Sequence, residues 1–359
     1  MRKYYLDNIR WCTVLLVVVY HVIFIFNAVT PELGAGPFRP VQYQDAIQYL
    51  LYPWFMVLLF VVAGAGSRYA LEKQTPRQFL AARTRKLLVP STLGLFVFHW
   101  MGGYVNMKMN GAFDVIPANL PGLALYPILA VSGTGVLWFI QMLWIFSLLL
   151  LPIRKLEKGK LYARSMDWGL PVLILPALPL WLSAQVLNTP VVTVYRFGVY
   201  GLAFLLGYFV LAHEEVVERL SKQWLPLSAA ALILGVGYTL CYFGQNYAVK
   251  PVVNSIFSIV YGWIAVLAVF ALAKKFGDRT SPLAQWLGKR SFGLYVFHYL
   301  PMSAAALWLC KGLPALPAYL MAALAAFGGG WGLYEGISRI PVLRWCLLGI
   351  SKKEKRHVL

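Results

Sequence analysis

The chain has 359 residues, 60% of them hydrophobic and only 13% charged, with a formal net charge of +19. So apolar a composition excludes a soluble enzyme of this length and indicates a polytopic membrane protein. The positive charge does not mark a nucleic-acid binder, because the Lys and Arg residues fall in short clusters between apolar runs.

A helix needs roughly 20 apolar residues to cross the hydrocarbon core. In chain order, ten runs approach that length: 11–29, 46–66, 87–107, 133–151, 169–187, 197–212, 225–243, 251–273, 291–309 and 316–337. The pattern predicts an all-α polytopic membrane protein, a bundle of about ten transmembrane helices. The first run is too long for a signal-peptide core and lacks a small-residue cleavage site, so it is expected to stay as the first span. Most connections are short, which predicts one integral membrane domain over 1–359 with no appended soluble domain. The longest outer segment, 108–132, contains Pro117, Pro121 and Pro127 and is expected to form a substrate-facing loop or lid.

Charge sets the orientation. With a cytoplasmic N-terminus, all but five of the 32 Lys and Arg residues lie on the inner side; the five are Arg39, Lys108, Arg196, Lys250 and Lys311. Such a bias predicts both termini cytoplasmic. The four cysteines, Cys12, Cys241, Cys310 and Cys346, have no metal-ligand or redox spacing. No metal site is expected. Core packing is the simplest account of them, with a Cys241–Cys310 disulfide as the alternative.

Ionisable groups at membrane depth are costly and mark candidate sites. Few exist here: His21, His99 and His298 lie within apolar runs, and Glu335 near the inner end of the last. Arg10 and His21 are eleven residues apart, which at ~100° per residue is roughly 20° beyond three full turns and about 16 Å along a helix axis. One helix face therefore joins a surface cation to a histidine deep in the bundle, and histidine suits general-base work because its ordinary pKa lies near neutrality. A packed histidine beside a topology-anchoring arginine is the other reading. Asp7, one turn before Arg10, is placed to orient the guanidinium.

The first cytoplasmic loop is the most basic. Arg83, Arg85 and Lys86 there suit the phosphates of a nucleotide-containing cofactor, or equally anionic lipid at the inner surface. Trp138 lines a passage or sits in an interface belt. Glu335 and Arg339, spaced i to i+4, are expected to pair, with a catalytic or gating role for Glu335 as the alternative. His298, three residues before Pro301, is expected to occupy a distorted helix in a structural role, and His99 likewise to be structural.

These segments together resemble a known family. YYLDNIR followed by ten residues and His21 resembles the Arg-X10-His signature of the acyltransferase family 3 integral membrane proteins. PWFMVLLFVVAGAGSRYAL, RTRKLLVP, GVLWFIQML and GKRSFGLYVFHYLP continue the likeness in order, and LYEGISRIPVLRWCLLG is similar to the ending of the subgroup that contains glucan biosynthesis protein C. The resemblance implies a multi-pass enzyme of the cell inner membrane. Its donor would be cytoplasmic acyl-CoA, carrying an acetyl or succinyl group, and its acceptor a hydroxyl of a carbohydrate or cell-envelope glycan. It implies catalytic roles for His21 and Arg10, to which Glu335 is added as a catalytic candidate on its membrane depth, and acyl-CoA contacts from Arg10, Arg83, Arg85, Lys86 and Trp138. A transporter or flippase for an acyl or glycan substrate is the rival reading, and a membrane sensor or scaffold a more distant one. The scarcity of carboxylates at the bilayer midplane counts against ion-coupled transport.

Overall fold

A computed structural model describes residues 3–117, 119–188 and 194–351. Every regular element among them is helical. The apolar helices are α1 (Tyr4–Phe24), α2 (Phe55–Lys73), α3 (Pro76–Met109), α4 (Gly135–Glu157), α5 (Leu170–Leu187), α6 (Phe197–Phe209), α7 (Trp224–Tyr242), α8 (Ile256–Gly277), α9 (Pro282–Phe297), α10 (Tyr299–Trp308) and α11 (Ala315–Arg339), followed by α12 (Pro341–Leu348). Among the described residues, eight stretches are long and apolar enough to cross a membrane, or nine if α6 is counted with the helix Glu214–Lys222, to which it is bent by 102°. That is close to the ten expected.

The shortfall has a local cause. The apolar run 291–309 is not one helix but is divided at His298 between α9 and α10. Pro301 has no N–H to offer the Phe297 carbonyl four residues back, and its ring crowds that carbonyl. The sixth run ends similarly early, where Glu214–Lys222 turns aside as an amphipathic helix burying Val216, Val217 and Leu220. The outer segment 108–132, expected as a loop, contains an apolar helix at Gly122–Ser132. All four cysteines are free.

By contacts the chain separates into two compact units. The first comprises 1–16, 46–80 and 145–289. Its core is α2 against α6, where a Cβ on Gly64 would stand 1.9 Å from the Phe204 carbonyl oxygen and one on Gly207 2.0 Å from that of Val61. Small residues at such crossings let backbones meet where lipid offers no hydrophobic drive. The second unit comprises 17–45, 81–144 and 290–359, and it holds His21, His99, His298, Glu335 and the basic stretch of α3.

Candidate active site

The site is built in the second unit on the last turns of α1. His21 Nδ1 lies 2.8 Å from the Val17 carbonyl oxygen and 3.2 Å from His298 Nε2. His298 is fully buried, and its own Nδ1 faces two carbonyl oxygens, Tyr295 at 2.9 Å and Leu294 at 3.1 Å. Carbonyls only accept, so both Nδ1 atoms carry the proton. In the neutral pair His298 Nε2 is then an acceptor for His21 Nδ1–H, and the lone pair of His21 is left on Nε2. That nitrogen has no partner among the described residues. The arrangement therefore fixes one tautomer and presents an unoccupied proton acceptor.

The pair sits where α9 gives way to α10. The ring of His298 lies back along its own helix on the Leu294 and Tyr295 carbonyls while Nε2 faces α1. Gly330 of α11 supports the break from behind: a Cβ there would lie 3.1 Å from His298 Cα. Tyr299, the first residue of α10, closes edge-on over the His21 ring at 5.4 Å. Tyr295 donates its hydroxyl to the Val136 carbonyl and packs on Phe139 at 5.7 Å, bringing the start of α4, with half-buried Trp138, to the same side of α9. His99 stacks parallel to Phe297 at 6.4 Å and is buried, with no hydrogen-bond partner for its Nε2.

Three wide, π-helical turns occur among the described residues, at Thr84–Leu88, Leu95–His99 and Ala325–Gly329, and all lie in this unit. Such turns are frequent at functional sites. The first carries Arg85 and Lys86 and begins next to Arg83. Arg85 Nε donates to the Gly349 carbonyl at 3.2 Å, so the basic stretch is anchored on the cap of α12, while Lys86 is exposed. Trp144 Nε1 to Thr84 Oγ1 (3.0 Å) and Gln141 Nε2 to the Ser91 carbonyl (3.1 Å) pin α4 to the same part of α3.

The remaining expected residues have partners of their own. Arg10 is on the unbroken helix α1 with His21 and is held by Asp7 at 2.9 Å, as its spacing suggests. Glu335 accepts from Arg290 Nε at 2.7 Å, a pair across helices in place of the expected one with Arg339. At the C-terminal ends of α1 and α10 a cavity of about 420 Å³ opens between Phe26, Gly36, Phe38, Met109, Leu307 and Lys311.

The profile of the acyltransferase 3 family, described as an acyltransferase domain, matches residues 3–335. The chain belongs to that family. No curated protein and no solved structure matches the chain significantly. The matched stretch of this acyltransferase domain takes in Arg10, His21, the basic turn of α3, Trp138 and His298, and it ends at Glu335. Sequence reasoning found His21 by its spacing from Arg10 but gave His298 only a structural role. The one signal near it was the proline three residues on, which forecasts a break in the helix but not the partner of His298.

Proposed function

We propose that the protein is a membrane-bound O-acyltransferase that moves an acyl group, acetyl or succinyl, from cytoplasmic acyl-CoA to a hydroxyl of a carbohydrate or cell-envelope glycan. The observation that carries this reading is the His21–His298 pair. It presents an unoccupied Nε2 lone pair in a tautomer fixed by three carbonyls and a second imidazole.

In the reaction, His21 Nε2 takes the proton of the acceptor hydroxyl as its oxygen attacks the thioester carbonyl carbon. The tetrahedral intermediate collapses with cleavage of the C–S bond, and the proton passes from the imidazolium to the departing thiolate. Ester and free thiol result, and His21 is regenerated. Throughout, His21 Nδ1–H keeps its acceptors, so His298 positions the base without exchanging a proton. General-base help of this kind is typically worth about 10²–10⁴-fold.

Arg83, Arg85 and Lys86 would hold the phosphates of the coenzyme, since guanidinium groups match phosphate geometry. Arg10, oriented by Asp7, would bind phosphate or stabilise charge near the reacting carbonyl, and Trp138 would line the donor passage. The outer cavity is the acceptor's place in this reading. Its volume of about 420 Å³ suits a small ligand, and it begins five residues beyond His21 on the same chain segment.

The test is thiol release by the purified full chain in detergent from acetyl-CoA and succinyl-CoA, with and without a soluble glucan. Release that His21→Ala removes is expected with one of the two donors. A protein that neither binds nor turns over either donor would contradict the proposal.

A further inference from the structure

A second cluster of polar groups lies in the first unit, which the acyl-transfer reading does not use. Arg196 precedes α6 and is 2% exposed. Its Nη2 donates to the Val253 carbonyl at 3.2 Å, while Nε and Nη1 have no hydrogen-bond partner. The guanidinium lies 5.4 Å from the Tyr200 ring centroid. It also interacts electrostatically with Tyr52 and Tyr238. Tyr52 packs on Tyr247 at 4.7 Å, and Tyr247 donates its hydroxyl to Gln48 Oε1. Gln48 is fully buried and leaves Nε2 without an acceptor. Arg196 also meets the Tyr200 side chain in a hydrogen bond, which leaves Arg196 Nε and Nη1, Gln48 Nε2 and the Tyr238 hydroxyl as the unpartnered groups around this set of tyrosines.

A guanidinium stays charged in a protein, and a buried charge calls for a partner of opposite sign. None is present among the described residues. The ion pairs of this unit, such as Arg68–Glu72 and Lys274–Asp278, lie at the other ends of the helices: Arg68 is near the C-terminus of α2, 5.5 Å from the ring of Tyr208 at the far end of α6. From Arg196 to Tyr208 is about 18 Å along a helix axis.

We propose that Arg196, Gln48 and the surrounding tyrosines bind the carboxylate of a small organic anion. The one fixed charge here is positive, which excludes a cation. One fixed positive charge among neutral donors matches a monoanion better than a phosphate monoester with nearly two charges. Aromatic walls suit a planar group. Carboxylates of two origins share this chemistry, the free end of an acyl chain and the acid group of a uronic sugar, and the probes below separate them. The inference requires nothing of the acyl-transfer reading, because it concerns binding alone.

The experiment is thermal unfolding of the full chain in detergent at constant ionic strength, with propionate, glucuronate, propionamide, glucose or chloride. Propionate, glucuronate or both should raise Tm in a saturable way, the responding probe naming the origin, while the neutral analogues and chloride leave it unchanged. Arg196→Gln should lose the response without losing stability, since it removes a buried charge. Gln48→Leu, which keeps Arg196, should weaken binding about tenfold through loss of one hydrogen bond to a charged group. The proposal is overturned if no carboxylate shifts Tm, if chloride acts as well as propionate, or if either variant responds like the unaltered chain.

Discussion

At the scale of single residues, the account rests on which nitrogen carries which proton. His21→Ala should lower turnover by about 10²–10⁴-fold, through loss of the proton acceptor, in a protein that still folds and unfolds cooperatively. His298→Ala leaves His21 Nδ1–H with the Val17 carbonyl alone and frees the ring to rotate. Turnover should fall with KM for the acyl donor little changed. His298→Gln offers an amide oxygen at the same acceptor position and should restore part of the lost rate, whereas a merely space-filling role would leave the two variants alike. Arg10 and His21 were legible in the sequence because both sit on one helix, where spacing is geometry. Their partner was not, since the contact joins residues 277 apart in the chain. The same holds for Glu335, whose partner Arg290 lies on another helix.

At the scale of elements, the apolar runs read from composition became helices at nearly their expected places, because length and hydropathy are local properties. Breaks inside runs depend on a competition between one proline and the packing around it, and hydropathy does not report that. The division at His298 is the instance that matters. Pro301→Ala would give back an N–H for the Phe297 carbonyl and favour a continuous helix over 282–308. Its expected signature is unchanged or raised Tm together with a loss of activity on the order of 10²-fold, the usual effect of displacing a catalytic group by about 1 Å. An activity equal to that of the unaltered chain would show that the break does not position His298. The helix at Gly122–Ser132 was hidden for a different reason: its three nearby prolines, Pro117, Pro121 and Pro127, read as loop, although Pro121 immediately precedes the first turn, where an absent N–H costs nothing.

At the scale of the whole molecule, the uneven distribution of Lys and Arg is the clearest feature of the sequence and, in the proposed reading, puts the acyl donor on the cytoplasmic side. Cysteines placed singly at Lys158 and Lys250 in an otherwise cysteine-free chain provide the check. An impermeant maleimide should label the Lys250 variant in intact cells and the Lys158 variant only after permeabilisation. The reverse pattern would put the basic stretch of α3 on the wrong side for a cytoplasmic donor. The coenzyme assignment belongs to the same scale: replacing Arg83 and Lys86 together by Gln should raise KM for acyl-CoA about tenfold with kcat less affected, and less so at high salt.

The central claim is that His21 and His298 act as one unit. The most direct measurement is a double-mutant cycle on acyl-transfer turnover with His21→Ala, His298→Ala and the combination. If His298 works only by fixing the tautomer of His21, the double variant will be no slower than His21→Ala alone. Losses that simply add, or a His21→Ala protein as active as the unaltered chain, would contradict it.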